Sequence, residues 1–212
     1  MKTTLSPSLR KLRAWTITLL LTVVAWAAIG AQYVIQPGPA DSKDIWTSSV
    51  YSFAPGGSYP GGGLNDERLF VAGWGDEYYS LIQFDLSQVP SNATLAVLYL
   101  YCFYYQGTAT PMYLDRITQA WDWRTSGTGR DRERLWWADR PAATQWMPNT
   151  IPAPLPGQWY AVDITGLYNA WQSGLYPNYG LQLRPQNTWN NYTVFYSADS
   201  AEQPPATFSD VF

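Results

Sequence analysis

Flat rings and guanidinium groups set in polar loops are the side chains of this sequence best suited to chemistry. Trp74 stands in the turn Gly73-Trp74-Gly75, and Trp189 and Asn190 lie in the run Gln186-Asn187-Thr188-Trp189-Asn190-Asn191. Trp123 and Arg124 introduce a glycine-rich and then charged segment at 125–134. An indole offers an apolar platform for the C–H face of a sugar, and neighbouring amides or guanidinium groups can reach its hydroxyls. Aromatic side chains carried on loops suit this better than those in strands, which a core absorbs. Trp74, Trp123, Trp189, Arg124 and Asn190 are therefore the candidate ligand-binding residues. Arg124, Arg130, Arg132, Arg134 and Arg140 also cluster, interleaved with Asp122, Asp131, Glu133 and Asp139. That alternation favours a solvated, self-neutralised loop. The sharper reading is a uronate or phosphate site built on bidentate guanidinium contacts.

Other chemistries are excluded by composition. The 212 residues include no histidine and one cysteine, so there is no histidine-based triad, no imidazole metal ligand, no internal disulfide and no cysteine-type zinc site. No G-x-S-x-G elbow, phosphate loop or H-E-x-x-H occurs. The sixteen acids form many pairs by chance, so they do not point to a glycosidase. No catalytic residue and no cofactor is expected. Asp41, Asp44, Asp66, Glu67, Asp76 and Glu77 flank the early loops and could supply oxygen ligands to a structural calcium. No EF-hand spacing supports that over plain solvated acids. The formal net charge is −3, and the basic residues Lys2, Arg10, Lys11 and Arg13 all precede residue 32, which leaves −7 on the rest. That balance argues against a nucleic-acid partner.

The elements that must position these residues follow from pattern. A basic start, an uncharged stretch at 14–31 and a close of small residues (Ala27, Ala28, Gly30, Ala31) read as a secretory signal, or alternatively as an uncleaved membrane anchor. Either directs the remainder out of the cell, with 32–40 as linker and 41–212 as the domain. Aromatic residues make up 17% of the chain and charged residues 14%, against roughly 25% charged in an average protein. Strands are expected at 44–51, 67–74, 80–85, 96–103, 112–117, 158–163, 179–184, 192–197 and 206–211. Both alternating sets of 96–103 are largely apolar, which marks a central strand covered on both faces and Cys102 as a buried thiol. Thr165 is placed to cap a short helix carrying Leu167 and Trp171 and ending at Gly174. The glycine-rich 54–63 and the proline-rich 141–157 read as long loops, the latter running extended over the surface. Trp121, Trp137, Trp171 and Trp159 are expected in the core. The fold class is all-β: an antiparallel jelly-roll sandwich with one short helix, preceded by the N-terminal hydrophobic segment.

The order of motifs resembles the DNRLRE family of secreted modules. It runs DERLFVAG at 66–73, SLIQFDLSQVPSNATL at 80–95, RITQAW at 116–121 and LWWADRP at 135–141, then WYAVDITGLYNAWQSG at 159–174, NYGLQL at 178–183 and FYSADSAEQPP at 195–205. That family includes carbohydrate-binding modules attached to polysaccharide lyases. The resemblance covers about residues 41–212 and implies a non-catalytic jelly roll at a cell surface, with a polysaccharide or surface glycan as partner. The alternative is a structural or adhesive surface-layer module that binds protein or itself. The family often carries a basic residue where this chain has Tyr78 and Tyr79, and another at Gln83.

Overall fold

The computed structural model describes residues 32–37, 43–49, 67–107, 109–122, 135–198 and 200. The expected signal or anchor, the strand expected at 206–211, the glycine-rich loop and the candidates Trp123 and Arg124 lie outside the described residues.

Alternation of apolar with polar or aromatic residues produces nine strands among the described residues: β1 (Lys43–Ser48), β2 (Arg68–Gly73), β3 (Tyr78–Gln83), β4 (Val97–Gly107), β5 (Met112–Ile117), β6 (Ala143–Gln145), β7 (Gln158–Asp163), β8 (Leu181–Pro185) and β9 (Asn191–Tyr196). One helix, α1 (Thr165–Gln172), separates β7 from β8. All pairings between the strands are antiparallel and follow the order β6-β5-β8-β3-β2-β9-β4-β7, with β1 on β3. β2 and β3 meet at one residue pair, Ala72 with Tyr78. The path therefore curls there into two halves, β6-β5-β8-β3-β1 and β2-β9-β4-β7.

The facing sides of the halves share one core. Leu69 and Val71 of β2, Leu98, Leu100 and Cys102 of β4 and Phe195 of β9 meet Ile82 of β3, Leu114 of β5 and Leu181 and Leu183 of β8. Full burial of each large apolar side chain contributes about 1.5–3 kcal/mol. This is the all-β sandwich with one short helix that the pattern implied. Cys102 is buried as a free thiol, and burial pushes its pKa up to about 11. Leu167 and Trp171 of α1 pack into the same core, as their i, i+4 spacing requires.

Three expectations need correction. Thr165 does not cap α1 but is its first residue, preceded by Ile164 at the cap position. The side chain that receives the helix start is Asp163, whose Oδ1 accepts from Thr165 N at 2.8 Å. Thr165 Oγ1 is drawn instead into tertiary structure, where it accepts from Ala96 N at 2.9 Å. The proline-rich stretch is not purely a surface loop. Its proline-free residues Ala143–Gln145 pair with β5, and Ile151 exchanges backbone hydrogen bonds with Met112 at 2.8 and 3.0 Å. Trp137 and Trp159 are not core residues; their places are given below.

Gly180 fixes the start of β8. Its φ is +87°, and a Cβ there would collide with the Ile82 carbonyl. Only glycine allows this close approach of β8 to β3.

Candidate functional site

Because side chains alternate along a strand, the residues between the core positions of β3, β5 and β8 share the opposite side of that half-sheet. Register places Leu81 opposite Gln182, and Gln182 opposite Asp115. Arg184 stands opposite Tyr113, and Asp115 opposite Gln145. The segment following Leu135 crosses over this side and makes a single 3-10 turn at Trp137–Asp139. Between turn and sheet lies an open groove of about 620 Å³, lined by Tyr79, Asp115, Trp137, Arg140, Gln182 and Arg184, among others.

The floor is a polar network. Asp115 Oδ2 accepts from Arg184 Nε at 2.7 Å and from Gln182 Nε2 at 3.0 Å. Arg184 also donates to Gln145 Oε1 at 3.2 Å, and its guanidinium lies 4.0 Å from the centre of the Tyr113 ring. Asp115 and Gln182 are each only 3% exposed. Their remaining oxygens, Asp115 Oδ1 and Gln182 Oε1, have no hydrogen-bond partner. An unmet acceptor in a buried place costs about 1–3 kcal/mol. Both residues line the groove, so its floor holds polar groups whose hydrogen-bonding capacity the protein leaves unmet.

The wall is aromatic and cationic. The Tyr79 and Trp137 rings lie 4.7 Å apart at an interplanar angle of 57°. The Arg140 guanidinium lies 3.8 Å from the Trp137 ring centre and 5.5 Å from that of Tyr79. Its hydrogen bond goes to the Trp137 carbonyl at 3.3 Å, and among the described residues no carboxylate pairs with it. Most of its five N–H donors therefore remain open to a ligand. Tyr79 donates its hydroxyl to Glu77 Oε2 at 2.9 Å. Burial, followed by that bond, pushes its pKa up to about 12, so it stays a neutral phenol at physiological pH.

The expected platform residues are at a different place. Trp74 lies in the turn between β2 and β3, and Trp189 and Asn190 lie in the loop between β8 and β9. A hydrogen bond from Gly75 N to the Thr188 carbonyl at 3.0 Å joins the two loops. The tryptophans are 46% and 78% exposed. Asn190 adopts φ +49°, and Gly107 packs so closely on its carbonyl that a Cβ would collide. Of the five candidates, three are thus brought to one end of the sandwich, and Trp123 and Arg124 lie outside the described residues.

The remaining tryptophans divide. Trp121 and Trp171 are core residues as expected, and Trp121 Nε1 donates to the Tyr179 carbonyl at 2.8 Å. Trp137 is half-buried on the groove because the 3-10 turn carries it over the outer side of the sheet. Trp159 is half-buried on the outer side of the other half-sheet, in edge contact with Tyr101 at 5.5 Å. Of the early acids named for calcium, Asp41 and Asp66 lie outside the described residues, while Asp76 and Asp44 hold backbone amides. Asp76 Oδ1 accepts from Trp74 N at 2.7 Å, and Asp44 Oδ2 accepts from Ala198 N at 2.8 Å. Among the described residues no three acidic or thiol side chains gather as a metal site.

Sequence reasoning missed Tyr79, Asp115, Gln182 and Arg184. The available signal was the pattern L-Q-L-R in β8 and L-D-R-I in β5, with polar residues alternating inside apolar strands. Tyr79 stands where the resembling family often has a base; here the cation beside it comes from Arg140, distant in sequence.

The model of carbohydrate-binding module family 96 matches residues 65–209. No curated protein matches the chain. The match agrees with the carbohydrate-binding side of the motif resemblance, while the narrower DNRLRE label is not part of it.

Proposed function

The chain belongs to carbohydrate-binding module family 96, and from that premise we propose that it is a secreted or cell-surface module that holds polysaccharide in the groove over β3, β5 and β8 without acting on it. The observation that carries this reading is the pairing of unmet acceptors with aromatic rings. Asp115 and Gln182 give the floor polar capacity that the protein itself leaves unmet. Trp137 and Tyr79 offer apolar surface for C–H groups beside them. Arg140 supplies donors for ring, hydroxyl or carboxylate oxygens of the ligand. A sugar carries all three complementary features on one ring.

Binding without catalysis is supported by the match to a carbohydrate-binding module family. The basic and apolar N-terminal segment supports export.

Retention on a panel of insoluble polysaccharides (cellulose, xylan, mannan, β-glucan, chitin and pectin gels) tests the proposal, with Trp137→Ala as the paired control. The wild type should be retained on at least one and the variant should wash through. A folded wild-type protein that binds none of them, nor any member of a glycan array, overturns the reading.

A further inference from the structure

Resting on that reading of the groove, we infer that the bound polysaccharide continues past Glu77 onto the loop pair carrying Trp74 and Trp189, so the ligand is an internal stretch of chain longer than the groove itself. The argument begins with strand direction. β3 and β8 are antiparallel neighbours, so the start of β3 and the end of β8 lie at the same end of the sheet. Tyr79 is the groove residue nearest the start of β3, and Arg184 the one nearest the end of β8. Trp74 precedes Tyr79 by five residues, and Trp189 follows Arg184 by five. At about 3.3 Å per extended residue, both tryptophans lie within roughly 17 Å of that end of the groove.

The loops between are braced rather than free. Trp74 N donates to Asp76 Oδ1 at 2.7 Å, and Gly75 N donates to the Thr188 carbonyl at 3.0 Å. Gly73 has no room for a Cβ against Thr188. Asn187 Nδ2 donates to Thr110 Oγ1 at 3.1 Å, and Asn191 Nδ2 donates to the Asn187 carbonyl at 2.6 Å. Backbone braced in this way loses little further entropy on binding. Both rings stay exposed, Trp189 more than any other large apolar residue described. The shelf they form also carries the exposed amide of Asn190, which suits sugar hydroxyls.

The surroundings favour a glycan chain over a bilayer. Asp76 and Glu77 follow Trp74 in the same loop, and the chain beyond residue 31 carries −7, a balance that opposes approach to an anionic lipid surface.

The test uses the full chain and oligosaccharides of two to eight units released from a polysaccharide that retains it, titrated by calorimetry. In the wild type, affinity should keep rising with length after the groove is filled. In the double variant W74A/W189A, affinity for the shortest bound oligomer should match the wild type, while the gain for longer ones, at least fivefold, should vanish. Because both side chains are exposed, the variant should fold, which its circular dichroism and melting curve verify. An unchanged length dependence in the double variant overturns the inference. If Trp137→Ala still abolishes binding in that case, the groove reading stands alone. Anionic phosphatidylserine vesicles that capture the wild type and not the double variant would also overturn it, by assigning the pair to membrane. Absence of binding by the wild type to every oligomer removes both readings together.

Discussion

The two half-sheets each carry aromatic rings on their outer sides, but they use them in opposite ways. On β4, β7 and β9, Phe103 and Tyr196 stack at 4.3 Å and 11°, and Tyr101 stacks on the other side of Tyr196 at 5.8 Å and 13°. Trp159 closes the row edge-on to Tyr101. These rings spend their apolar faces on one another, so what they leave outward is edges and hydroxyls. On β3 and the 3-10 turn, Tyr79 and Trp137 are tilted, overlaid by a guanidinium and set above unmet acceptors. A cation on an exposed ring contributes only about 0.5–1 kcal/mol, little enough for a ligand to displace. Aromatic content therefore does not locate a site. Ring orientation and the polar groups beneath the rings do.

The most severe way to break this contrast is Asp115→Ala. It removes the acceptor shared by Arg184 and Gln182, and should cost about 2–4 kcal/mol of stability in denaturant titrations together with polysaccharide retention. Asp115→Asn, which preserves shape, should lose less stability.

Trp137→Ala should weaken polysaccharide affinity at least tenfold, about 1.4 kcal/mol, as measured by affinity electrophoresis. Its melting temperature should stay close to wild type because the ring is only half-buried. Unchanged affinity would remove the groove from consideration.

Phe103→Ala should do the reverse: stability lower by about 1 kcal/mol from the lost stack, with affinity unchanged. A fall in affinity here would make the ladder a binding surface. It would also revive the alternative of an adhesive or self-associating module, for which concentration-dependent sedimentation is the direct measurement.

The smallest effect concerns Tyr79 in alkali. Its folded pKa of about 12 exceeds the unfolded value near 10. The stabilisation is thus complete below pH 10 and is lost as pH rises from 10 to 12. Tyr79→Phe should flatten part of the decline in stability across that window. Cys102 and Tyr160, both raised chiefly by burial, keep the rest of the slope.

Much of the fold is legible residue by residue. The alternation at 96–103 separates Leu98, Leu100 and Cys102 from Tyr99, Tyr101 and Phe103, but it implied cover on both faces, and only the first set enters the core while the rings stay half-buried on the outer side. Leu167 and Trp171 declare the packing side of α1 by spacing alone. β6 escapes the pattern because three residues between prolines carry no period, and Thr165 misleads because a hydroxyl suited to capping found a better partner in Ala96. Trp137 misleads because its motif position reads as core, while the 3-10 turn carries it over the outer side of the sheet.

The sequence by itself determined the class of molecule: an all-β sandwich, no histidine chemistry, a buried thiol, and tryptophans at loop ends. These follow from local periodicity and composition, which act over a few residues. Tertiary structure alone decided where the groove lies. Asp115, Arg140 and Gln182 are far apart along the chain and ordinary in their local context. They become a site only when antiparallel register places β5 and β8 side by side and the 3-10 turn crosses above them. Register is a property of strand pairs, and no single strand encodes it.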